Sequence, residues 1–395
     1  VGRMGAVLGA YGVSLGVAGV GAALALGARA ARFRDEPGRA VRALVRPAGA
    51  GLAAIVAMLG LALWGSAVRV PGLGAHDAAR LGVVQTALPQ SVRGSWPVSA
   101  RLDDLRRWGG WTGDLAGRAE APDVIVWPET MFPGPTLSPE AVETERAARL
   151  AWELPEGQAV PTTYFYDRVL DLSSRIGTPL VMGATGIEGL SIDEGDGGPV
   201  RRADARYNSV FVLDGGAVTP QRYDKVELTP FGEYIPILHR WPAAEDAVAR
   251  LGAAEVLRLV LDRGSRPVRL RVPFARDVPG EAEGAAGLVL ATPICFEVTR
   301  ATLCRRLAYD GGERAADVIV NLSNDGWFGG ADAGRRHHLL GARWRCLELG
   351  VPMVRAVNTG VSAVVDARGR VLASLPPARA EGEGGEGGVL AADVP

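Results

Sequence analysis

Of the 43 basic residues in this 395-residue chain, one, Lys225, is a lysine, and arginine does every other cationic job. Cysteine is almost as scarce. Cys295, Cys304 and Cys346 are an odd number at spacings that suit neither a disulfide framework nor a zinc ribbon, so at least one thiol is free. The four histidines include an adjacent pair, His337 and His338, which cannot face one way on a helix and so make a poor metal site. Excess charge is also lacking: 43 basic against 44 acidic residues leave a formal net charge of -1, which argues against a nucleic-acid binder held by a basic surface. An apolar content of 48% excludes disorder over the whole chain. The length allows a catalytic domain of roughly 250 residues with something smaller beside it.

What is present first is uncharged sequence. Met4 to Ala28 is a run of 25 residues without charge, and a second run extends from Pro47 to Val68. Each is long enough to cross a bilayer as a helix. The segment between them carries Arg29, Arg32, Arg34, Arg39, Arg42 and Arg46 against Asp35 and Glu36, a bias that puts this loop in the cytoplasm. A secretory signal would have its positive charge before the apolar core, and here the charge follows. The expectation is a membrane region over 1–70, with two transmembrane helices and an Arg-rich cytoplasmic loop. Everything after Val70 then lies outside the cytoplasmic membrane. Ala/Gly helix surfaces normally pack against further helices, and the chain opens with Val, which together read as a fragment or an alternative start.

Beyond residue 78, β-branched runs separated by turn residues and amphipathic stretches read as a mixed α/β domain over 78–378. Strands are expected near Arg80–Gln85, Asp123–Trp127, Pro179–Gly183, Asn208–Leu213, Val218–Tyr223, Val268–Val272, Leu288–Ala291, Val318–Leu322, Met353–Val357 and Ser362–Val365. Helices are expected over Tyr164–Ile176, Glu297–Tyr309 and Arg335–Leu349. Pro133–Pro161 and Ser191–Gly198 read as loops, and 379–395, which contains the Glu/Gly-rich stretch Glu381–Gly388, as a flexible tail. No internal repeat is visible.

Three residues stand out chemically. A position that stays lysine in an arginine-rich chain suits a role needing a compact ammonium, such as facing a developing oxyanion, though a chance surface lysine fits the composition equally. Cys295 ends an apolar strand and precedes an expected helix, a geometry that can lower a thiol pKa and supply backbone N–H donors. Cys304 and Cys346 fall inside expected helices, where a free cysteine is usually a small buried hydrophobe. Glu129 follows the apolar run Asp123–Trp127 and Pro128, and an apolar wall from Trp127 would raise its pKa toward that of a useful base. Glu233 and Glu297 are further carboxylate candidates; any of these glutamates can equally be a plain loop residue.

Glu, Lys and Cys at successive strand ends resemble the nitrilase superfamily. Within it, the chain is similar to the apolipoprotein N-acyltransferases. The matching segments are Trp127-Pro128-Glu129, Tyr207-Asn208-Ser209, Tyr223-Asp224-Lys225, Pro230-Phe231-Gly232-Glu233-Tyr234, Ile294-Cys295-Phe296-Glu297, Asn321 through Gly329, Cys346 through Gly350 and Asn358 through Ser362. The resemblance implies a nitrilase-like αββα sandwich preceded by transmembrane helices, a multi-pass cell-membrane location, and a catalytic domain on the extracytoplasmic face. It implies a Glu129, Lys225, Cys295 triad with no metal or cofactor. Cys295 would take an acyl chain from a phospholipid as a thioester and pass it to the N-terminal amine of a diacylglyceryl-cysteine lipoprotein. Glu129 would serve as base and acid, and Lys225 with the Phe296 N–H would hold the oxyanion. Glu233 would be a second active-site carboxylate, and Glu297 a supporting one. Relatives of this kind carry more membrane spans than are visible here.

Two other readings share the fold. One is a membrane-anchored amidase acting on a small C–N substrate with the same triad; the other is an inactive scaffold. A lipid-facing cleft would need exposed apolar loops, which Pro133–Pro161 and the region of Trp241 would supply.

Overall fold

The computed structural model describes residues 79–89, 96–154, 157–195, 198–230, 232–234, 261–274, 287–329, 331–378 and 387–395, with scattered helical positions between 9 and 60. In chain order the strands are β1 (Ala79–Gln85), β2 (Val124–Val126), β3 (Ala151–Glu153), β4 (Ala159–Pro161), β5 (Leu180–Glu188), β6 (Ser191–Gly195), β7 (Gly198–Arg202), β8 (Ala205–Asp214) and β9 (Ala217–Asp224). They continue as β10 (Leu270–Pro273), β11 (Gly287–Ala291), β12 (Tyr309–Asp310), β13 (Glu313–Arg314), β14 (Val318–Ser323), β15 (Met353–Val357), β16 (Ala363–Val365), β17 (Val371–Ser374) and β18 (Gly388–Val394). The longer helices are α1 (Val98–Ala116), α2 (Pro139–Ala147), α3 (Tyr164–Ile176), α4 (Ala301–Ala308) and α5 (Asp332–Leu349).

Strand alternation builds the layers, because successive side chains leave a strand on opposite faces. In the first sheet, ordered β18-β1-β2-β5-β8-β9, Leu81, Val83, Val124, Val126, Val181, Val210 and Val212 turn inward onto the second sheet. Their neighbours Val84, Ile125, Leu180, Met182, Phe211 and Leu213 turn outward, where α1 and α3 cover them with Trp108, Leu115, Phe165, Val169 and Leu172. The second sheet, β10-β11-β14-β15-β16-β17, meets the first through Leu270, Val272, Leu288 and Leu290, while Leu303, Leu307, Ala342 and Cys346 of α4 and α5 pack with it. The result is an αββα sandwich.

The two sheets share one pattern of pairing. Read across each sheet, the pairs run antiparallel, parallel, parallel, antiparallel, antiparallel. No sequence repeat announces this, so the likeness lies in topology alone.

Several expectations need correction. Among the described residues no helix is long and apolar enough to cross a membrane, which overturns the transmembrane helices and the multi-pass location read from the uncharged runs. Absence of charge is not sustained hydrophobicity: seven of the 25 residues from Met4 to Ala28 are glycine, which brings no apolar side chain to a bilayer. Most of the expected membrane region 1–70 lies outside the described residues, as do Phe231 and Trp241. Gly388–Val394 is not a tail but the edge strand paired antiparallel with β1. Within the expected loop Pro133–Pro161 stand α2 and the hairpin of β3 and β4, and Ser191–Gly198 falls within the hairpin of β6 and β7. The expected helix Glu297–Tyr309 is broken in two, since Arg300 is extended between a 3-10 turn over Cys295–Thr299 and α4.

Candidate active site

β2 leads directly into buried Trp127, whose ring packs outward on Trp108 at 5.9 Å and whose Nε1 donates to Thr112 Oγ1 at 3.0 Å. The indole therefore anchors the strand to α1. The chain then turns back over β5, where Gly183 permits the approach: a Cβ there would lie 2.7 Å from Glu129 Cα and 2.4 Å from the Pro128 carbonyl oxygen. This seats the Glu129 carboxylate, 5% exposed, at the edge of the inter-sheet core.

Lys225 follows β9 directly, its N–H donating to the Asn208 carbonyl at 2.9 Å. The side chain is 1% exposed, and Nζ lies 2.8 Å from Glu233 Oε2 and 3.4 Å from Glu129 Oε1. Asn208 Nδ2 donates to both carboxylates, at 2.7 Å to Glu129 and 2.8 Å to Glu233. Burial alone would lower the lysine pKa, but the charges of Glu129, Cys295 and Glu233 push it well above the usual range. The Glu233 carboxyl is held below its ordinary value, because the Lys225 ammonium outweighs the cost of burial. Glu129 Oε2 and Asn208 Oδ1 are buried and unpartnered.

Cys295 enters from the second sheet. The chain leaves β11, makes a bridge at Ile294 to Leu322, and puts Cys295 in the left-handed region at φ 50. A non-glycine residue held there stores strain, and such positions cluster at functional sites. The sulfur lies 4.0 Å from the Asn324 carbonyl oxygen. Contrary to the expected thiolate, burial and then the Glu129 carboxylate push the thiol pKa up to about 12, with Lys225 only partly opposing them. At neutral pH the resting group is a thiol, and its use as a nucleophile needs a base.

Glu297 joins the halves. Its Oε2 accepts from Tyr223 Oη at 2.8 Å and the Ile294 N–H at 2.8 Å, and its Oε1 from the N–H groups of Val226 at 2.7 Å and Glu227 at 2.8 Å. One carboxylate thus fixes the turn before Cys295 against the segment after Lys225. Burial pushes its pKa up to about 7 in spite of these donors. Phe296 stands in the 3-10 turn beside the sulfur. Cys304 and Cys346 are buried in α4 and α5, as a structural role expects. No cluster able to hold a metal occurs among the described residues.

The site therefore brings together Glu129, Lys225, Glu233, Cys295 and Glu297. Sequence reasoning assigned no role to Asn208, although Tyr207-Asn208-Ser209 was among the matching segments; only its hydrogen bonds to both glutamates show one.

The chain matches the carbon-nitrogen hydrolase family over residues 80–395. It is 35% identical over 299 residues to an apolipoprotein N-acyltransferase of Sinorhizobium medicae, covering 72% of this chain and 45% of that protein. It is 28% identical over 333 residues to the apolipoprotein N-acyltransferase of Brucella melitensis, covering 83% and 51%. The chain spans about half the length of the curated relatives it matches. Among solved structures, an amidase from Nesterenkonia sp. aligns with 82% of this chain and 93% of its own at 19% identity and a TM-score of 0.48. With the family matched from the first strand of the sandwich to its last, the chain belongs to the carbon-nitrogen hydrolases.

Proposed function

We propose that the chain is a cysteine-dependent acyl-transfer enzyme. The observation that carries this is a buried lysine bonded between two glutamates and tied through Glu297 to the turn of a cysteine held at φ 50. Glu129 removes the Cys295 thiol proton as the sulfur attacks an acyl carbonyl, and Lys225 with the Phe296 N–H faces the oxygen that becomes negative. Collapse expels the donor's alcohol or amine, which leaves with the proton held by Glu129, and a thioester remains on Cys295. An incoming nucleophile then gives its proton to Glu129, attacks the thioester, and displaces the sulfur, which recovers the proton as the thiol.

The nucleophile decides between two outcomes. Sequence similarity to apolipoprotein N-acyltransferases favours an amine: the acyl chain of a phospholipid passes to the N-terminal amino group of a diacylglyceryl-cysteine lipoprotein. The family's description, matched over 80–395, favours water, with a small amide as donor.

Intact mass after incubation with phospholipid, beside Cys295→Ala, separates them. Acyl transfer predicts an added acyl chain that depends on Cys295 and disappears when a lipopeptide amine is supplied. Release of ammonia from a small amide, with no lipid adduct, selects hydrolysis; neither result, in folded protein, removes both and leaves the inactive scaffold.

A further inference from the structure

Behind Cys295 lies a second cluster of charge that the reaction above does not use. Arg355, on the interior strand β15, is fully buried, and Asp325 and His338 close around it. Its Nη2 lies 2.9 Å from each Asp325 carboxylate oxygen. Asp325 Oδ1 also accepts from Ser323 Oγ at 2.9 Å and lies 2.8 Å from His338 Nδ1, which is itself 3.0 Å from Arg355 Nη2. Gly360, at φ 131, makes room for the carboxylate: a Cβ there would lie 2.5 Å from Asp325 Oδ2.

Two connections run from this pair to the cysteine. Arg355 Nη1 donates to Asn321 Oδ1, and Asn321 Nδ2 donates to the Pro293 carbonyl at 2.8 Å and reaches the Cys295 carbonyl at 3.5 Å. Asp325 is joined in the chain to Asn324, whose carbonyl meets the sulfur, and its own N–H is tied to the Thr359 carbonyl at 3.1 Å. A buried ion pair is poor at stabilising a fold, since desolvating two charges costs several kcal/mol per ion and apolar packing serves as well. Its position at the root of a strained turn gives it another use.

We propose that Asp325 and Arg355 are positioning residues that keep Cys295 in its left-handed conformation, one through Asn321 and the turn before the sulfur, the other through the Asn324 peptide against it. The proposal rests on Cys295 being the nucleophile. The groups around the sulfur are Glu129 and Lys225 from the first half and Asp325 and Ser323 from the second.

The test compares Asp325→Asn and Arg355→Lys with the full-length wild type by three measurements. These are the rate of acyl-adduct formation over a range of phospholipid concentration, the pH profile of Cys295 alkylation by iodoacetamide, and the urea unfolding midpoint. A nucleophile misplaced by about 1 Å loses roughly 100-fold in rate. Both variants should form adduct about 10- to 100-fold more slowly, with half-saturating phospholipid within twofold. Only Asp325→Asn, which removes an anion beside the sulfur, should shift alkylation to lower pH. Wild-type adduct rates in both variants, or rates that simply follow falling urea midpoints with the two profiles moving together, would overturn it. If Arg355→Lys does not fold, Asn321→Ser breaks the relay and leaves the ion pair, and carries the same expectation. Absence of any adduct in wild type defeats the acyl-transfer reading; the alkylation rates of the variants then decide the positioning claim by themselves.

Discussion

The two sheets of this protein are wired alike and loaded differently. The first parallel strand of each leads into a non-glycine residue with positive φ, Ala87 at 60 after β1 and Cys295 at 50 after β11. The first half uses that turn for a methyl group, and concentrates its chemistry instead at the ends of β2, β8 and β9, in Glu129, Asn208 and Lys225. The second half puts the sulfur on the turn and backs it with Asn321, Asp325 and Arg355. The two halves thus share a left-handed residue after the corresponding strand, and differ in which of them carries a functional side chain there. Glu297, rooted in one half and bonded to the other, sets their relative placement to within a hydrogen bond.

If the loading matters as described, the largest effect is loss of the sulfur. Cys295→Ala should bring acyl-adduct formation to background, a fall on the order of a million-fold for removal of a nucleophile. An adduct surviving on another residue would break the distinction between the halves. Lys225→Arg keeps the charge but replaces a compact ammonium by a larger planar fork at a buried position. Turnover should drop on the order of 100- to 1,000-fold, as for removal of an oxyanion donor, and near-normal turnover would show that charge alone suffices. Glu297→Gln tests the joint. An amide cannot accept all four donors, and stability measured by urea should fall by about 2 kcal/mol.

Acid titration sharpens the contrast further. Burial would raise the Asp325 pKa, but Arg355 and His338 hold it down at about 2. A carboxylate depressed in the fold contributes stability that is complete above its unfolded pKa of about 3.9 and is lost as pH falls through the folded value. Wild type should lose stability between pH 4 and 2 more steeply than Asp325→Asn, as followed by circular dichroism; parallel curves would mean the ion pair contributes none of the slope. The smallest effect is expected at Ala87→Gly, which relieves left-handed strain of about 1 kcal/mol, with no change in the rate of adduct formation.

Much of this was legible beforehand, for reasons that differ by element. The inward strands announced themselves as apolar runs such as Val124-Ile-Val126 and Val318-Ile-Val320. α3 was bounded correctly because Phe165, Val169 and Leu172 lie on one face before Gly177 ends the helix. α1 escaped because Gly109, Gly110 and Gly113 and a row of arginines blur its apolar face. β18 escaped because Glu/Gly-rich sequence precedes it and its pairing partner is 300 residues away in the chain. The uncharged N-terminal runs misled by composition. In the site, scarcity was informative in one direction only: a single lysine drew attention to Lys225, whereas the abundance of arginine concealed Arg355. Asn208 and Asn321 carry no charge signature, and their value lies wholly in what the sheets set opposite them.

The strand that closes the first sheet bears on how the protein is made. β18 pairs along the whole of β1, from Ala79 opposite Val394 to Gln85 opposite Gly388. A nascent chain that has already synthesised Glu129, Lys225 and Cys295 still presents the open edge of β1 to solvent, a ready template for pairing with another chain. That edge is covered only when Gly388–Val394 have left the ribosome, so its pairing closes over a long sequence separation, and until then the first sheet stays exposed to aggregation.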